Sequence, residues 1–236
     1  MRALGLIALL FVSTAALAQN PPPDPITGSA ALGYLATNGN TDSTNANTSF
    51  KLDWDRGGNW VHGWTAMAVN ASTDSTTTAE AYAAGYKGKR DFSQTSYLFT
   101  TGDWRKDRFS GYRDQTTEAV GYGRRLIETD RHMLALEGGG GAKQSTLSDG
   151  TSLDEAIVRG ALDYVLHLSD NSEFNQKALV EIGDENRYTE LKSAVKAKLI
   201  GNLALVASYT IKKNSEVLPG VENTDTFMSL SLEYGF

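Results

Sequence analysis

From residue 29 to the end of the chain, apolar and polar residues alternate in segments of roughly 9 to 13 residues, separated by clusters of Asn, Asp, Ser, Thr and Gly. In the last segment Met228, Leu230, Leu232, Tyr234 and Phe236 share one face, and Ser229, Ser231, Glu233 and Gly235 share the other. A period of two is the signature of a strand, because successive side chains point to opposite faces of a sheet. Over 203–212, Leu203, Leu205, Ala207, Tyr209 and Ile211 oppose Ala204, Val206, Ser208, Thr210 and Lys212, and the segments 47–54, 156–168 and 174–183 behave alike. The pattern predicts about twelve strands, at 29–37, 46–54, 60–69, 79–89, 95–104, 114–126, 132–142, 156–168, 173–183, 189–199, 203–212 and 225–236. Alternation is weak over 60–69, 95–104 and 114–126.

Two of these segments compete as helices. Ser152-x-x-Glu155 is a capping-box pattern, and Ile157, Ala161, Tyr164 and Leu168 fall at helical spacing, as do Leu191, Val195 and Leu199. A helix at either place would break the strand pairing and leave open edges in lipid, where unpaired backbone groups are costly. Both segments are therefore assigned as strands.

The connections at 55–59, 90–94, 127–131, 169–172 and 200–202 are short; those at 38–45, 70–78, 105–113, 143–155 and 213–224 are mostly longer and more polar. Outer-membrane barrels have an even number of antiparallel strands, short periplasmic turns and longer external loops. The expected fold is all-β: a single antiparallel transmembrane β-barrel of about twelve strands with both termini periplasmic. Trp54, Trp60, Tyr86, Tyr97, Phe174, Tyr234 and Phe236 lie beside the short turns, where one interfacial girdle is expected, whereas a second girdle is not legible. All 5 prolines fall outside strand interiors, as a hydrogen-bonded ladder requires.

Composition alone, at 40% hydrophobic and 21% charged residues, describes an ordinary soluble domain. The first 18 residues change that picture. Arg2, the apolar run from Leu4 to Val12 and the small-residue site Ala16-Leu17-Ala18 read as a secretory signal. The expected organisation is a signal over 1–18, a Pro-rich segment over 19–28 and a barrel over 29–236. With no cysteine there is neither a disulfide framework nor a lipid-modified anchor, and no later apolar run approaches the length of a transmembrane helix. The net charge of −6, made more negative by removal of Arg2, disfavours nucleic-acid partners.

The stretch Trp104-Arg105-Lys106-Asp107-Arg108-Phe109-Ser110-Gly111-Tyr112, followed by Val120-Gly121-Tyr122-Gly123 and by Leu134-Ala135-Leu136-Glu137-Gly138-Gly139-Gly140-Gly141, resembles the YdiY-like family of salt-induced bacterial outer-membrane proteins, a domain of unknown function. Gly39-Asn40-Thr41-Asp42-Ser43 and the closing Leu232-Glu233-Tyr234-Gly235-Phe236 are similar to that family as well. The resemblance implies a barrel in the Gram-negative outer membrane and a link to salt or osmotic stress. It supplies no catalytic residue. The terminal Phe236, with Tyr234 and Leu232 before it, also resembles the signal read by barrel-assembly machinery, so the expected partners are outer-membrane lipids, that machinery and periplasmic chaperones.

Reactive chemistry is sparse. His62, His132 and His167 are scattered, no metal or cofactor is expected, and no G-x-S-x-G element supports a nucleophile. His132 reads as a solvated turn residue and His167 as a polar inward residue near Asp163. Asn40, Asp42 and Asn45 are oxygen donors that also form ordinary turns. The function expected first is a non-enzymatic narrow channel or structural envelope protein. A membrane-embedded hydrolase and a soluble periplasmic binding barrel are the alternatives. Taking the face opposite the apolar one places Lys51, Lys87, Lys89, Arg159, Lys177, Lys192, Lys196, Lys198 and Lys212 in the lumen, with Asp53, Asp163, Glu181 and Glu233. Such an interior predicts anion preference if it is open.

The chain end gives a first test. Deleting Phe236, or replacing Tyr234→Asp, should lower the amount of assembled barrel in membrane fractions well below that of a Ser148→Ala loop control, as read by immunoblot.

Overall fold

The computed structural model describes residues 25–37, 43–74, 76–108 and 112–236. The expected signal over 1–18 and the Gly39, Asn40, Thr41 and Asp42 singled out in sequence lie outside them. Among the described residues there are twelve strands: β1 (Ile26–Thr37), β2 (Ser43–Gly57), β3 (Trp60–Thr73), β4 (Thr76–Asp91), β5 (Ser96–Asp107), β6 (Tyr112–Glu128), β7 (His132–Leu147), β8 (Ser152–Ser169), β9 (Ser172–Ile182), β10 (Arg187–Ile200), β11 (Leu203–Asn214) and β12 (Thr224–Gly235). Each pairs antiparallel with its sequence neighbours, and β1 pairs with β12 from Ser29↔Gly235 to Leu32↔Leu232, so the sheet closes on itself. Both segments with helical spacing are strands, β8 and β10.

Several strands run beyond the expected boundaries. The expected connection at 70–78 shrinks to two residues after Thr73, and the one at 143–155 shrinks to 148–151. The reason is that Thr146↔Ser152 and Gln144↔Asp154 continue the ladder with polar residues on both strands. Backbone pairing does not need apolar side chains, so alternation fades before the hydrogen bonds do. The β2–β3 turn is tight because Gly57, Gly58 and Asn59 all take left-handed backbone angles.

A closed single-layer sheet can bury side chains only on its inside. Lys143 and Glu181 are 1% exposed, whereas Val158 is 65% and Met228 74% exposed. These residues fix which parity points in. Across β2, β3, β4 and β5 the outward ladder runs Phe50↔Ala66, Ala66↔Ala84 and Ala84↔Trp104. Near the short turns Trp54, Trp60, Trp64 and Tyr86 surround His62 on the outer face, with ring centroids 5.6 to 6.1 Å from the imidazole. Tyr97 does not join them. It is 4% exposed and points inward, one residue out of phase with Leu98. His132 is not a free turn residue either: it opens β7 and its Nδ1 lies 2.9 Å from the Tyr164 hydroxyl. A second set of exposed rings, Tyr34, Tyr82, Trp104 and Tyr209, stands on strand halves nearer the opposite end.

At two places inward glycines stand so close to a partner strand's backbone that no Cβ fits. At β6–β7, inward Gly121 and Gly139 leave room for the partner strand, since a Cβ would stand 2.3 Å from the Gly138 and Val120 carbonyl oxygens; at Gly141 it would stand 1.9 Å from that of Glu118. At β1 a Cβ on Gly33 would stand 2.4 Å from the Leu230 oxygen, and there Ser231 of β12 donates to Asn47 Oδ1 of β2 across it at 2.7 Å. Glycine allows such close approach because no side chain projects into the space. In the closed order β1 and β7 stand half a circuit apart. The walls between them, β2–β6 and β8–β12, therefore face each other.

The glycine run supplies a controlled test. A Cβ on outward Gly138 meets nothing within 4 Å. Gly138→Ala should leave the temperature at which the detergent-solubilised barrel loses its compact gel mobility unchanged, while Gly139→Ala and Gly141→Ala should lower it by the equivalent of about 1–3 kcal/mol.

Candidate functional site

The interior carries the candidate chemistry, and its most buried part joins the two facing walls. Arg105 on β5 places Nη1 and Nη2 at 3.2 and 3.3 Å from the two carboxylate oxygens of Glu181 on β9. Lys143 on β7 reaches the same carboxylate at 3.4 Å. Both cations lie over the Tyr188 ring, with Arg105 at 4.6 Å and Lys143 at 5.2 Å from its centroid, and the Tyr188 hydroxyl donates to Glu190 at 2.5 Å. A two-pronged guanidinium–carboxylate contact holds a fixed geometry, and stacking on a ring uses the flat cation's remaining surface. The cluster sits toward the end with the longer loops, where Asn186 bonds Asn214 at 2.8 Å and the Tyr112 hydroxyl donates to the Glu216 carbonyl at 3.0 Å.

A second layer lies further along the barrel. Lys87 on β4 pairs with Glu137 on β7, and the Tyr97 hydroxyl donates to the same carboxylate at 2.8 Å. A Cβ on Gly123 would stand 2.3 Å from the Tyr97 ring, and one on Gly121 2.6 Å from Phe99. Rings of β5 thus lie over the glycine stripe of β6. Arg125 bonds both oxygens of Asp91 at 2.8 and 3.1 Å and stacks on the other side of this layer, 5.0 Å from the Tyr97 centroid.

The residues singled out in sequence occupy defined contacts. Lys51 lies 2.6 Å from Asp53, Lys177 3.1 Å from Asp163 and Lys196 2.7 Å from Glu233. Lys89 lies over Tyr97 and Lys212 over Phe227, while Lys192 stands opposite Lys177 in the ladder and Lys198 opposite Ala204. Arg159 lies 5.9 Å from the Phe99 centroid. All but Lys192 and Lys198 of these cations meet a carboxylate or a ring. At the chain end Leu232, Tyr234 and Phe236 are exposed on the outer face, and Phe236 exchanges backbone hydrogen bonds with Gly28 at 2.8 and 2.9 Å. His167 faces Glu173 at 3.8 Å, not Asp163, and among the described residues no three acidic or histidine side chains gather as a metal site.

Sequence reasoning missed Arg105, Arg125 and Lys143, and with them the inward acids Asp91, Asp103, Glu137, Glu155, Glu173 and Glu190. The ladder gives all of them the same inward parity. Most belong to β5, β6 and β7, where inward Tyr97 and Phe99 and the run Gly138 to Gly141 erase hydrophobic alternation. The available signal was pairing with better-defined neighbours: β8 alternates clearly, and antiparallel register carries its parity onto β7. With these residues included, the interior count moves from nine bases against four acids to twelve against ten, and most of the excess of base disappears.

The family model for DUF481, described as a protein of unknown function, matches residues 30–236. The uncharacterized protein YdiY of Escherichia coli (strain K12) is 29% identical over 211 residues, covering 89% of this chain and 83% of that protein. Among solved structures, an outer membrane channel from Pseudomonas putida F1 superposes with a TM-score of 0.54 at 8% identity, covering 92% of this chain and 100% of the other. The NanC porin gives 0.50 at 12% identity over 88% of this chain and 97% of that one. The translocator domain of the autotransporter NalP from Neisseria meningitidis gives 0.50 at 12% identity over 92% and 90%. At these identities the likeness is one of fold.

Removing the shared acceptor of the buried cluster should be costly, because it strands two buried cations. Glu181→Ala is expected to destabilise the barrel by about 3–5 kcal/mol, and the Arg105→Leu, Lys143→Met, Glu181→Leu triple variant by much less. Urea unfolding midpoints in detergent compare them.

Proposed function

The chain belongs to the DUF481 family of proteins of unknown function, and on that premise we propose that it is a non-enzymatic barrel of the Gram-negative outer membrane with a narrow, polar interior. The observation that carries the reading is the contrast between faces: Leu32, Val120, Val158 and Met228 are 64 to 74% exposed outside, whereas charged Lys143 and Glu181 are buried inside. In water such an exterior would aggregate, and in lipid it is the favourable surface. The porin and channel folds among the similar structures support the same reading. In this reading residues 1–18 direct export, both termini face the periplasm, and Phe236 with Tyr234 addresses the assembly machinery.

The passage is narrow because Arg105, Lys143 and Glu181 join β5, β7 and β9 across it. Its role is to admit small solutes past paired charges, or to brace the envelope, and a connection with salt or osmotic stress rests on the family resemblance alone. The anion preference expected from a basic lumen is weak here, since Lys87, Lys177, Lys196 and Arg105 each face a carboxylate.

Planar-bilayer recording of the purified full chain tests this. Small unitary currents with a reversal potential near zero under a salt gradient are expected, with larger currents from the Arg105→Ala, Glu181→Ala double variant. Wild-type currents of wide-porin size, or recovery of the protein in the aqueous periplasmic fraction, would overturn it.

A further inference from the structure

Between β4, β7, β8, β9 and β10 the interior keeps a cavity of about 200 Å³, bordered by Lys87, Glu137, Arg159, Asp163, Lys177 and Glu190. Most of these charges are matched. Lys87 pairs with Glu137, Lys177 with Asp163 at 3.1 Å, and Glu190 accepts from the Tyr188 hydroxyl. Arg159 differs. It is 9% exposed, yet its Nε and Nη1 are buried with no acceptor, and among the described residues no carboxylate lies within ion-pair distance of it. The second oxygen of Glu137, Oε2, is likewise buried without a donor.

A buried guanidinium with unpartnered N–H groups is costly unless an acceptor meets it, and the acceptor that matches it best is a planar oxyanion. The unpartnered Glu137 Oε2, buried on a residue that borders the same cavity, asks for a hydroxyl or ammonium hydrogen. We propose that this cavity is a binding site for a small organic acid that carries a hydrogen-bond donor besides its carboxylate. The carboxylate engages Arg159, and a hydroxyl or ammonium group donates to Glu137 Oε2. Lys87, fixed against Glu137 and 5.4 Å from the Phe99 ring centroid, adds positive potential without surrendering its own partner. The volume suits a molecule of roughly ten to fifteen heavy atoms, and excludes polymers from the closed part of the interior. The inference deepens the narrow-passage reading by naming its solute class, and it rests on that reading's water-accessible interior.

Binding is measured on the detergent-purified full chain by titration calorimetry, with gluconate as probe, sorbitol as its uncharged analogue and inorganic phosphate as an oxyanion without the organic donor. Saturable gluconate binding at least ten-fold tighter than sorbitol and phosphate is expected, lost in Arg159→Met and partly retained in Arg159→Lys. Glu137→Gln should weaken gluconate and leave acetate unchanged. Lys212→Met, outside the cavity lining, should bind as wild type, and compact gel mobility before heating certifies that each variant is folded. Equal binding of phosphate or sorbitol, or gluconate binding that survives in folded Arg159→Met, overturns the proposal. Conductance is recorded separately: currents without gluconate binding sink the site and spare the passage, whereas binding without currents does the reverse.

Discussion

Everything in this molecule follows from the closing ladder between the first and last strands. β1 pairs with β2 over its whole length from Ile26 to Thr37, but with β12 only from Ser29 to Leu32. That short contact, extended by the exchange of backbone hydrogen bonds between Gly28 and Phe236, removes the two free edges that an open sheet of twelve strands would leave. Once the sheet is closed, its two faces become chemically different places. One is a continuous outer surface, and the other is a confined interior in which a buried charge is costly unless an opposite charge or an acceptor meets it.

The interior meets that demand unevenly around the ring. The walls that meet at β6–β7 are drawn together by Arg105, Lys143 and Glu181, and the rings of Tyr97 and Phe99 fill the space that Gly121 and Gly123 leave. Near β1 the inward residues are small, with Ala31, Gly33 and Ser231 buried among them, and contact across the strand is made by one Ser231–Asn47 hydrogen bond. Desolvating charges is expensive, so a buried three-member cluster is no simple source of stability. Its geometric effect is clearer: a two-pronged contact between β5 and β9 sets the distance between walls and so the width of whatever path remains. Arg159, set in the same half of the barrel but without an acceptor, is the place where the pairing is left incomplete.

Much of this was legible from alternation. The period-two faces of β2, β8, β9, β11 and β12, the exclusion of proline from strands and the short connections between hairpins specify an antiparallel meander of about twelve strands, because strand parity is a local property of an extended chain. The glycines of 138–141 could be recognised as a place of close approach, though not as one of two. The boundaries of β3, β4, β7 and β8 were less legible, since polar residues such as Thr146 and Ser152 pair as readily as apolar ones. Tyr97 misled for a related reason: its neighbours in sequence suggest a girdle, and only the register with Gly123 shows that its ring turns inward.

What the sequence determined by itself is therefore the alternation of faces, the outward Leu232, Tyr234 and Phe236 of the last strand among them, and a count of about twelve strands, all of which depend on neighbours a few residues apart. What only the tertiary structure decided is which charges meet. Arg105 and Glu181 are separated by 76 residues, and Lys87 and Glu137 by 50. Parity can say that each points inward, but not at what height or toward which wall. Those follow from the register of every ladder between them and from the close approaches that the glycines allow, quantities fixed only when the sheet has closed.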